Sequence, residues 1–393
     1  MDIRKLAEDM QDQVISWRRA LHQMPELGND LPETSTYVQE RLKEMEIPFV
    51  TMVNGSGIFA TITGGAPGKT VAFRADMDAL PLIEDAPVDF KSTNGKMHAC
   101  GHDAHTAILL GTAKILNDIK ANLKGTVKLI FQPGEESPGG AKPMIAEGCL
   151  DGVDAIFGHH IGTLFSDITE SGKVVVSHGN AMACRDDFKM KIIGRGGHGA
   201  GPEVCIDPIP IAAQVISGVY LIKSREIAAL APSVISICMV HGGTANNIIP
   251  QSVELEGSTR SVDKATRALI AARLEEVLKH TCAAYGADYE FTFESDCDIM
   301  ANAPEMADVV IKAAQDLGFG ADVISQPNPL MGSEDMSFYL SKVPGAYFFV
   351  TSVVDQDGQV YGHHNPKFML DESSFQISVA LFVKIAENYL GLK

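Results

Sequence analysis

The run HTAILLGTAKILNDIK at residues 105–120, followed by GTVKLIFQ at residues 125–132, decides the fold class. The first run has apolar residues at helical spacing, and the second is a short apolar run typical of a buried strand. Two more strand-like runs, TVAFRAD at 70–76 and DAIFGHH at 154–160, lie on either side of this pair. The alternation of strand and helix predicts an α/β domain with a mostly parallel central sheet flanked by helices.

The pattern changes near residue 184. From there the predicted elements follow the order strand, helix, strand, strand, helix, strand, and the last of them is YEFTFES at 289–295. This is the ferredoxin-like order. It predicts an inserted α+β domain over residues 182–296, which interrupts a first domain formed by 1–181 and 297–393. A chain of 393 residues also exceeds the size at which a single core usually stops growing.

The composition limits the classes of molecule that the protein is expected to bind. Apolar residues make up 45% of the chain and charged residues 21%, which is ordinary for a globular protein. The formal charge of -18 disfavours nucleic acid and anionic membranes, since both attract basic surfaces. A small anionic substrate is still allowed, because one or two local arginines suffice to hold it.

Cysteine usage and hydropathy point to the cytoplasm. The N-terminal residues mix charges with apolar positions and lack the apolar core of a signal peptide, and no later stretch is apolar for long enough to span a bilayer. The seven cysteines are scattered and odd in number, which is not a disulfide framework and suits a reducing compartment.

Residues with metal-binding chemistry collect where predicted strands end. The stretch HACGHDAHT at 98–106 contains three histidines and a cysteine, while Glu135-Glu136 and His159-His160 each follow an apolar strand. In parallel sheets, ligand groups gather in the loops beyond the carboxyl ends of the strands. A lone Glu-Glu pair is usually a solvated loop, and a lone histidine is usually not a ligand. If all of these groups were ordinary surface or core residues, their presence in one α/β chain would require several independent coincidences. The set therefore favours a metal site.

The ligand types indicate which ions fit. Thiolate, imidazole and carboxylate together suit zinc, or manganese, cobalt or nickel where oxygen ligands are more numerous. Five or more candidate ligands exceed one tetrahedral site and predict two ions. Of two adjacent glutamates, one can bind a cation while the other faces a metal-bound water and removes its proton.

An ordered set of motifs gives a more specific interpretation. The chain resembles the metal-dependent amidohydrolase family of aminoacylases, hippurate hydrolases and auxin-conjugate hydrolases, the cysteine-ligand subfamily of a clan of co-catalytic metallo-exopeptidases. The resemblance extends from about residue 17 to about residue 375. It rests on these motifs, in order: RRALHQMPELG, FRADMDALP, HACGHDAHTA, FQPGEE, FGHHIG, GRGGHGAGPEVCIDPI, GTANNIIPQSVELEGSTRS, GSEDMSFYL and HHNPKFMLDE.

The resemblance implies roles for individual residues. Two divalent ions, most readily Zn or Mn and otherwise Co or Ni, are expected on five ligands: Cys100, His102, Glu136, His160 and His364. Glu135 is expected to act as the general base. Asp78 is expected to contact the ligand residues without binding metal itself. The ligand choice between His363 and His364 depends on a register of one residue.

Two further positions stay open. Asp76 occupies the place of a histidine ligand in the wider clan, a replacement that the cysteine subfamily shares. His105 is either a partner of a metal ligand or a helix-start residue. His98 is expected to be structural.

The resemblance also implies substrate contacts. His198 is expected to stabilise the oxyanion, although a loop histidine among glycines is the alternative from sequence alone. Arg260 is a candidate for binding a free carboxylate through its forked guanidinium, with a strand-end salt bridge as the alternative. Asn247, Gly332 and Ser333 are the other predicted substrate contacts.

These expectations combine into one function. The chain is predicted to cleave the amide bond of N-acyl amino acids or related small conjugates through a metal-activated water. A dipeptidase or another exopeptidase on the same scaffold is the alternative, and a silent metal-binding protein is disfavoured because no ligand or base is missing. The strand edge of the inserted lid domain is a plausible surface for a homodimer or higher oligomer.

Overall fold

The chain forms two units in a computed structural model that describes residues 1–326 and 328–392. One unit comprises Met1–Ala181 with residues 301–326 and 335–392, and the other comprises Met182–Met300 and Asn328–Glu334. Residues 328–334 were expected in the first domain. They join the second unit because the Ala183 amide donates a hydrogen bond of 2.9 Å to the Leu330 carbonyl oxygen.

Helices are distributed over both units. In chain order they are α1 (Ile3–His22), α2 (Pro32–Glu44), α3 (His102–Ile119), α4 (Ala141–Ala146), α5 (Pro208–Leu221), α6 (Lys264–Ala284), α7 (Pro304–Asp316), α8 (Met336–Leu340) and α9 (Phe375–Leu390). Within the residues that the structure describes, no helix is both long enough and apolar enough to cross a membrane.

Among the described residues, the strands form two main sheets and three short pairs. In chain order they are β1 (Phe49–Met52), β2 (Gly57–Thr63), β3 (Ala66–Asp76), β4 (Lys124–Gln132), β5 (Ala155–Gly162), β6 (Val174–Val176), β7 (Asn180–Met182), β8 (Cys184–Ile193), β9 (Gly197–His198), β10 (Ser233–Gly242), β11 (Ile248–Ile249), β12 (Ser252–Ser261), β13 (Asp288–Cys297), β14 (Met300–Ala301), β15 (Val323–Ser325), β16 (Gly345–Thr351), β17 (Asp355–Gln356) and β18 (Gln359–Val360).

The first unit is built on a sheet with the order β1-β2-β4-β3-β5-β16-β6-β15. Its central pairs β4–β3, β3–β5 and β5–β16 are parallel, and antiparallel pairs lie toward the edges. Residues 71–76 of β3 are all buried, as expected for a central strand covered on both faces. Helices α3 and α9 pack against β3, and α8 packs against β5 and β16. This arrangement confirms the predicted α/β class.

The second unit contains an antiparallel sheet with the order β10-β12-β8-β13. Along the chain its elements run β8, α5, β10, β12, α6, β13, which is the predicted ferredoxin-like order. One face of the sheet shares a core with α5 and α6 through residues such as Phe188, Val215 and Leu274. Strand β10 lies at an edge of this sheet.

The run DAIFGHH was predicted to be a strand, and β5 contains both of its histidines and continues to Gly162. The strand persists because it pairs in parallel with β16 as far as Gly162 and Thr351. Successive residues of a strand point to opposite faces, so the two histidines have different surroundings.

Candidate metal centre

The predicted ligands of the first unit converge at the carboxyl ends of β4, β3 and β5. Cys100 precedes α3 and His102 is the first residue of that helix. Between them, Gly101 adopts φ +94°, a left-handed conformation that favours glycine. This turn allows the thiol and the imidazole to approach the same point.

Short distances define the cluster. The Cys100 Sγ lies 3.4 Å from His160 Nε2. One ligand atom each from Cys100, His102 and Glu136 lies within 4.8 Å of the others. His364 Nε2 is 3.0 Å from Glu136 Oε1. All five predicted ligands therefore lie in one connected group of side chains.

The imidazoles of His102 and His160 are oriented as metal ligands usually are. His102 Nδ1 donates to the Asp78 carbonyl oxygen at 2.9 Å, and His160 Nδ1 donates to the Ile161 carbonyl oxygen at 3.1 Å. Metal-bound histidines typically use the second ring nitrogen in this way, which fixes ring and tautomer. His102 Nε2 is buried and has no hydrogen-bond partner among the described residues. A buried ring nitrogen without a hydrogen-bond partner, beside a thiol and a carboxylate, fits a divalent cation.

The electrostatics of the cluster also favour positive charge. Burial alone lowers the pKa of His102, but the carboxylates of Asp76 and Asp78 raise that pKa to about 10. Desolvation raises the pKa of the Cys100 thiol well above its usual range, with help from the charges of Glu136 and Glu135. Without a cation, the site therefore retains protons on both groups. A divalent ion supplies the charge that these protons otherwise provide.

Glu135 and Asp78 are arranged around the same point. The Asp78 carboxylate accepts hydrogen bonds from the amides of Glu135 and Glu136 at 2.9 and 3.1 Å. Glu135 Oε2 lies 3.9 Å from His102 Nε2. Asp78 thus fixes the backbone of both glutamates, and the Glu135 carboxylate faces the ligand cluster.

The adjacent histidines 363 and 364 have different surroundings. His363 Nδ1 donates to the Cys100 carbonyl oxygen at 3.2 Å, and His363 Nε2 accepts from the Thr163 amide at 3.1 Å. Both ring nitrogens are therefore in use. The His364 ring reaches Glu136. One ligand atom each from Cys100, His160 and His363 also lies within 4.8 Å of the others, so both histidines lie beside the cluster.

Asp76 and His105 belong to a buried ionic network. Asp76 accepts hydrogen bonds from His105 Nδ1 at 2.6 Å and from Arg74 Nη1 at 2.7 Å. Arg74 also donates to Asp335 at 2.6 Å. His105 lies in the first turn of α3, and its ring stacks against that of His102 at a centroid distance of 5.4 Å. Neither Arg74 nor Asp335 was predicted from the sequence to belong to the site. The signal that could have found Arg74 is a charged residue inside an apolar strand.

His98 and His159 lie outside the ligand set. Both side chains are buried, and neither ring nitrogen of either residue has a hydrogen-bond partner among the described residues. Desolvation lowers the pKa of His98 to about 3, so its ring is neutral. The His159 ring packs edge-on against Phe382 at 4.9 Å and beside Phe348 at 5.6 Å.

The second unit carries the other predicted residues in two separate places. His198 in β9 pairs with Ile248 in β11, and the Gly199 amide donates to the Asn247 carbonyl oxygen at 2.8 Å. His198 and Asn247 are therefore neighbours, and both are exposed. The Ala200 amide donates to His198 Nδ1 at 3.0 Å, which leaves Nε2 as the proton-bearing nitrogen of the neutral ring.

The remaining predicted substrate contacts lie elsewhere in the second unit. Arg260 is at the far end of β12, opposite Arg185, and is half-buried. Gly332 and Ser333 belong to the segment 328–334, and Gly332 approaches Met182. Within this unit, Arg260 is not brought together with His198.

Residues 72–388 match the model of Peptidase family M20/M25/M40. The chain belongs to this peptidase family. It is 39% identical to thermostable carboxypeptidase 2 of Saccharolobus solfataricus over 97% of this chain and 96% of that protein. It is 41% identical to the N-acyl-L-amino acid amidohydrolase of Geobacillus stearothermophilus over 75% of this chain and 79% of that enzyme.

A solved structure gives the same assignment within the M20 family. The Bacillus subtilis YXEP protein, described as a dinuclear metal-binding M20 peptidase, superposes with a TM-score of 0.84. It is 34% identical, and the match covers 98% of this chain and 99% of that one. The predicted resemblance to metal-dependent amidohydrolases is confirmed.

Proposed function

We propose that this protein hydrolyses the amide bond of N-acyl amino acids or related small conjugates with the help of two divalent metal ions. The observation that carries the proposal is the cluster in which the buried, unpartnered His102 Nε2 meets the Cys100 thiol and the Glu136 carboxylate. The amidohydrolase relative and the dinuclear YXEP structure support the same chemistry.

The proposed ligands are Cys100, His102, Glu136, His160 and His364, and the proposed ions are Zn or Mn, with Co or Ni as substitutes. Such ions, when bound, lower the pKa of a coordinated water and polarise a carbonyl oxygen. The Asp78 carboxylate holds the backbone of the two glutamates in place by accepting hydrogen bonds from their amides. A ligand set that contains a cysteine sulfur suits a reducing compartment, so we place the protein in the cytoplasm.

Glu135 is the proposed general base. Its carboxylate lies beside His102 Nε2 without being one of the proposed ligands, so it can take a proton from water as the water attacks the acyl carbon. The same carboxylic acid then gives the proton to the leaving amine. Glu135 therefore needs to be held in place while remaining free of the ions, and the Asp78–amide contact provides that positioning.

Residues of the second unit are proposed to complete the substrate site. The Nε2–H of His198 is suited to stabilise the oxyanion, because charge develops on that oxygen in the transition state. Asn247 is its neighbour and is proposed to hydrogen-bond the substrate. Arg260 is proposed to bind the free carboxylate, with Gly332 and Ser333 at the pocket wall. In this proposal the second unit acts as a lid.

An exopeptidase is the second candidate function. The relative named thermostable carboxypeptidase 2 favours it, because a peptide and an N-acyl amino acid present the same amide and the same free carboxylate. The two functions differ in the acyl side of the substrate. A peptide carries a free amino group there, and an N-acyl amino acid does not.

The second unit is also proposed to form a homodimer. Strand β10 is a sheet edge, and its residues Met239 and Val240 are 45% and 56% exposed. An edge strand with apolar side chains is open to pairing with another chain. The partner in this proposal is a second copy of the same protein.

A substrate panel tests the function. Protein stripped of metal is reloaded with Mn, Zn, Co or Ni and assayed on N-acetyl amino acids, hippurate and dipeptides. We expect metal-restored cleavage of the N-acyl amino acids and little cleavage of dipeptides. Cleavage confined to dipeptides would establish the exopeptidase instead. Stoichiometric metal binding without cleavage of any compound would overturn both.

A further inference from the structure

The ring of His363 connects the chain segments that carry three of the proposed ligands. It donates to the carbonyl oxygen of Cys100 at 3.2 Å and accepts from the amide of Thr163 at 3.1 Å. Thr163 lies three residues after His160 on the same backbone. His363 itself directly precedes His364, whose amide donates to the Ala99 carbonyl oxygen at 2.9 Å.

We propose that His363 is a positioning residue that holds Cys100 in the geometry needed to bind metal, through its hydrogen bond to the Cys100 carbonyl oxygen. This inference rests on the proposed function, because it concerns the same ligand set. The side chains of Cys100, His160 and His363 lie close enough together to hold an ion, but in this proposal His363 is not a ligand. Each ring nitrogen is engaged by a backbone group, and the tautomer is fixed with the proton on Nδ1.

The surroundings of the ring are built to keep it in place. Gly162 has φ +143°, and a Cβ at that position would lie 2.2 Å from His363 Nε2. Phe368 packs beside the ring at a centroid distance of 4.5 Å, and His160 meets it edge-on at 4.9 Å. A residue other than glycine at 162 would push the ring away from both hydrogen bonds.

The hydrogen bond from His363 to the Cys100 carbonyl oxygen affects metal binding, because the orientation of a peptide unit sets the direction of the ligand side chain next to it. The Cys100 side chain starts from the backbone unit whose carbonyl His363 holds, and this unit is followed by the left-handed Gly101. Losing the hydrogen bond lets the peptide unit rotate, and the thiol then turns away from His160 Nε2. Outer partners of this kind typically change metal affinity by about 10- to 100-fold.

Two substitutions separate the two hydrogen bonds of His363. The amide nitrogen of Asn lies close to the position of Nδ1, so H363N can still donate to Cys100. The longer Gln places its oxygen near the position of Nε2, so H363Q can still accept from Thr163. H363L removes both hydrogen bonds. H364N, which removes a proposed ligand, and H178N, at an exposed histidine, serve as comparisons.

The experiment is a cobalt titration of metal-free protein, with a competing chelator and with the thiolate-to-cobalt absorption band as the readout. We expect H363N and H178N to bind within about three-fold of the unchanged protein. We expect H363Q and H363L to bind roughly 10- to 100-fold more weakly while keeping two ions and the thiolate band. H364N should lose one ion.

Several outcomes would overturn the proposal. Equal affinity in H363Q, H363L and the unchanged protein would remove any positioning role, and loss of an ion in H363N would make His363 a ligand. Thermal unfolding of the metal-free variants identifies a purely structural effect, which would lower the unfolding temperatures of H363N and H363Q equally. If H363L does not fold, the comparison of H363N with H363Q still shows whether the hydrogen bond to Cys100 sets the metal affinity. The titration does not depend on hydrolysis, so failure of the proposed function is detected separately.

Discussion

Cys100 is the proposed ligand whose chemistry is easiest to follow in solution. Its thiol is half-buried, and desolvation together with Glu136 and Glu135 raises its pKa when no metal is present. The reactive species in alkylation is the thiolate. In the metal-free protein the reaction should therefore accelerate as the pH rises above the usual thiol range. A metal ion bound to the Cys100 sulfur occupies the electron pair that would otherwise attack the alkylating reagent.

We predict that a thiol reagent modifies Cys100 faster in metal-free protein than in metal-loaded protein. Peptide mapping by mass spectrometry measures the modification at each cysteine. Cys238, which is exposed on β10, should react equally in both forms and serves as an internal control. Equal protection of Cys100 in the two forms would contradict its assignment as a ligand.

His22 gives a prediction about pH and stability. Its Nδ1 lies 2.7 Å from Asp103 and its Nε2 lies 2.9 Å from Glu84, so both nitrogens face carboxylates. Burial and Arg18 lower the pKa of His22, but the two carboxylates outweigh them and raise it above its usual value. The charged ring thus stabilises the fold fully below about pH 6.5, and this contribution is lost as the pH rises through the folded-state pKa.

We expect metal-free H22Q to lose less thermal stability between pH 6 and pH 9 than the unchanged protein does. Thermal unfolding followed by circular dichroism measures the difference. H280Q, at an exposed position of α6, should keep the original pH dependence. Identical pH slopes in H22Q and the unchanged protein would show that His22 is not charged in the folded state.

Strand β5 provides a test at the scale of secondary structure. Alternation along the strand gives His160 to the ligand cluster and leaves His159 against Phe348 and Phe382. The His159 ring buries two nitrogens without hydrogen-bond partners among the described residues. An unpaired buried polar group costs about 1–3 kcal/mol, so an apolar replacement should be tolerated.

We predict that H159L keeps both metal ions and unfolds at the same or a higher temperature. H160L, its neighbour on the opposite face, should lose an ion. Metal analysis after gel filtration and thermal unfolding measure these effects. Loss of an ion in H159L with normal binding in H160L would reverse the assignment.

The same strand shows how far the sequence could predict the structure. Hydrophobic periodicity predicted the α/β sheet, the ferredoxin-like order and the grouping of ligands at strand ends, because these depend on local patterns. It did not predict that β5 extends past His160, since that depends on pairing with β16. The Arg74–Asp335 contact joins residues 261 positions apart, and the attachment of segment 328–334 to the second unit is also non-local. Such contacts leave no periodic signal.

At the scale of the whole molecule, the edge strand β10 determines the proposed dimer. V240K places a charge at an exposed apolar position of that edge, where burial against a second chain would desolvate it. We expect V240K to be monomeric in analytical ultracentrifugation. V50K changes an equally exposed valine on the edge strand β1 of the first unit and should not alter the mass. A dimer that persists in V240K would exclude this edge as the interface.

Glu135 is proposed to act as the base for amide hydrolysis beside a two-metal cluster. The most direct measurement is the kcat of E135Q on an N-acyl amino acid, together with its metal content. Gln keeps the shape of the side chain but cannot accept the proton, so we predict two bound ions and a kcat lowered by about 10²- to 10⁴-fold. Near-normal turnover by E135Q with both ions bound would contradict the account.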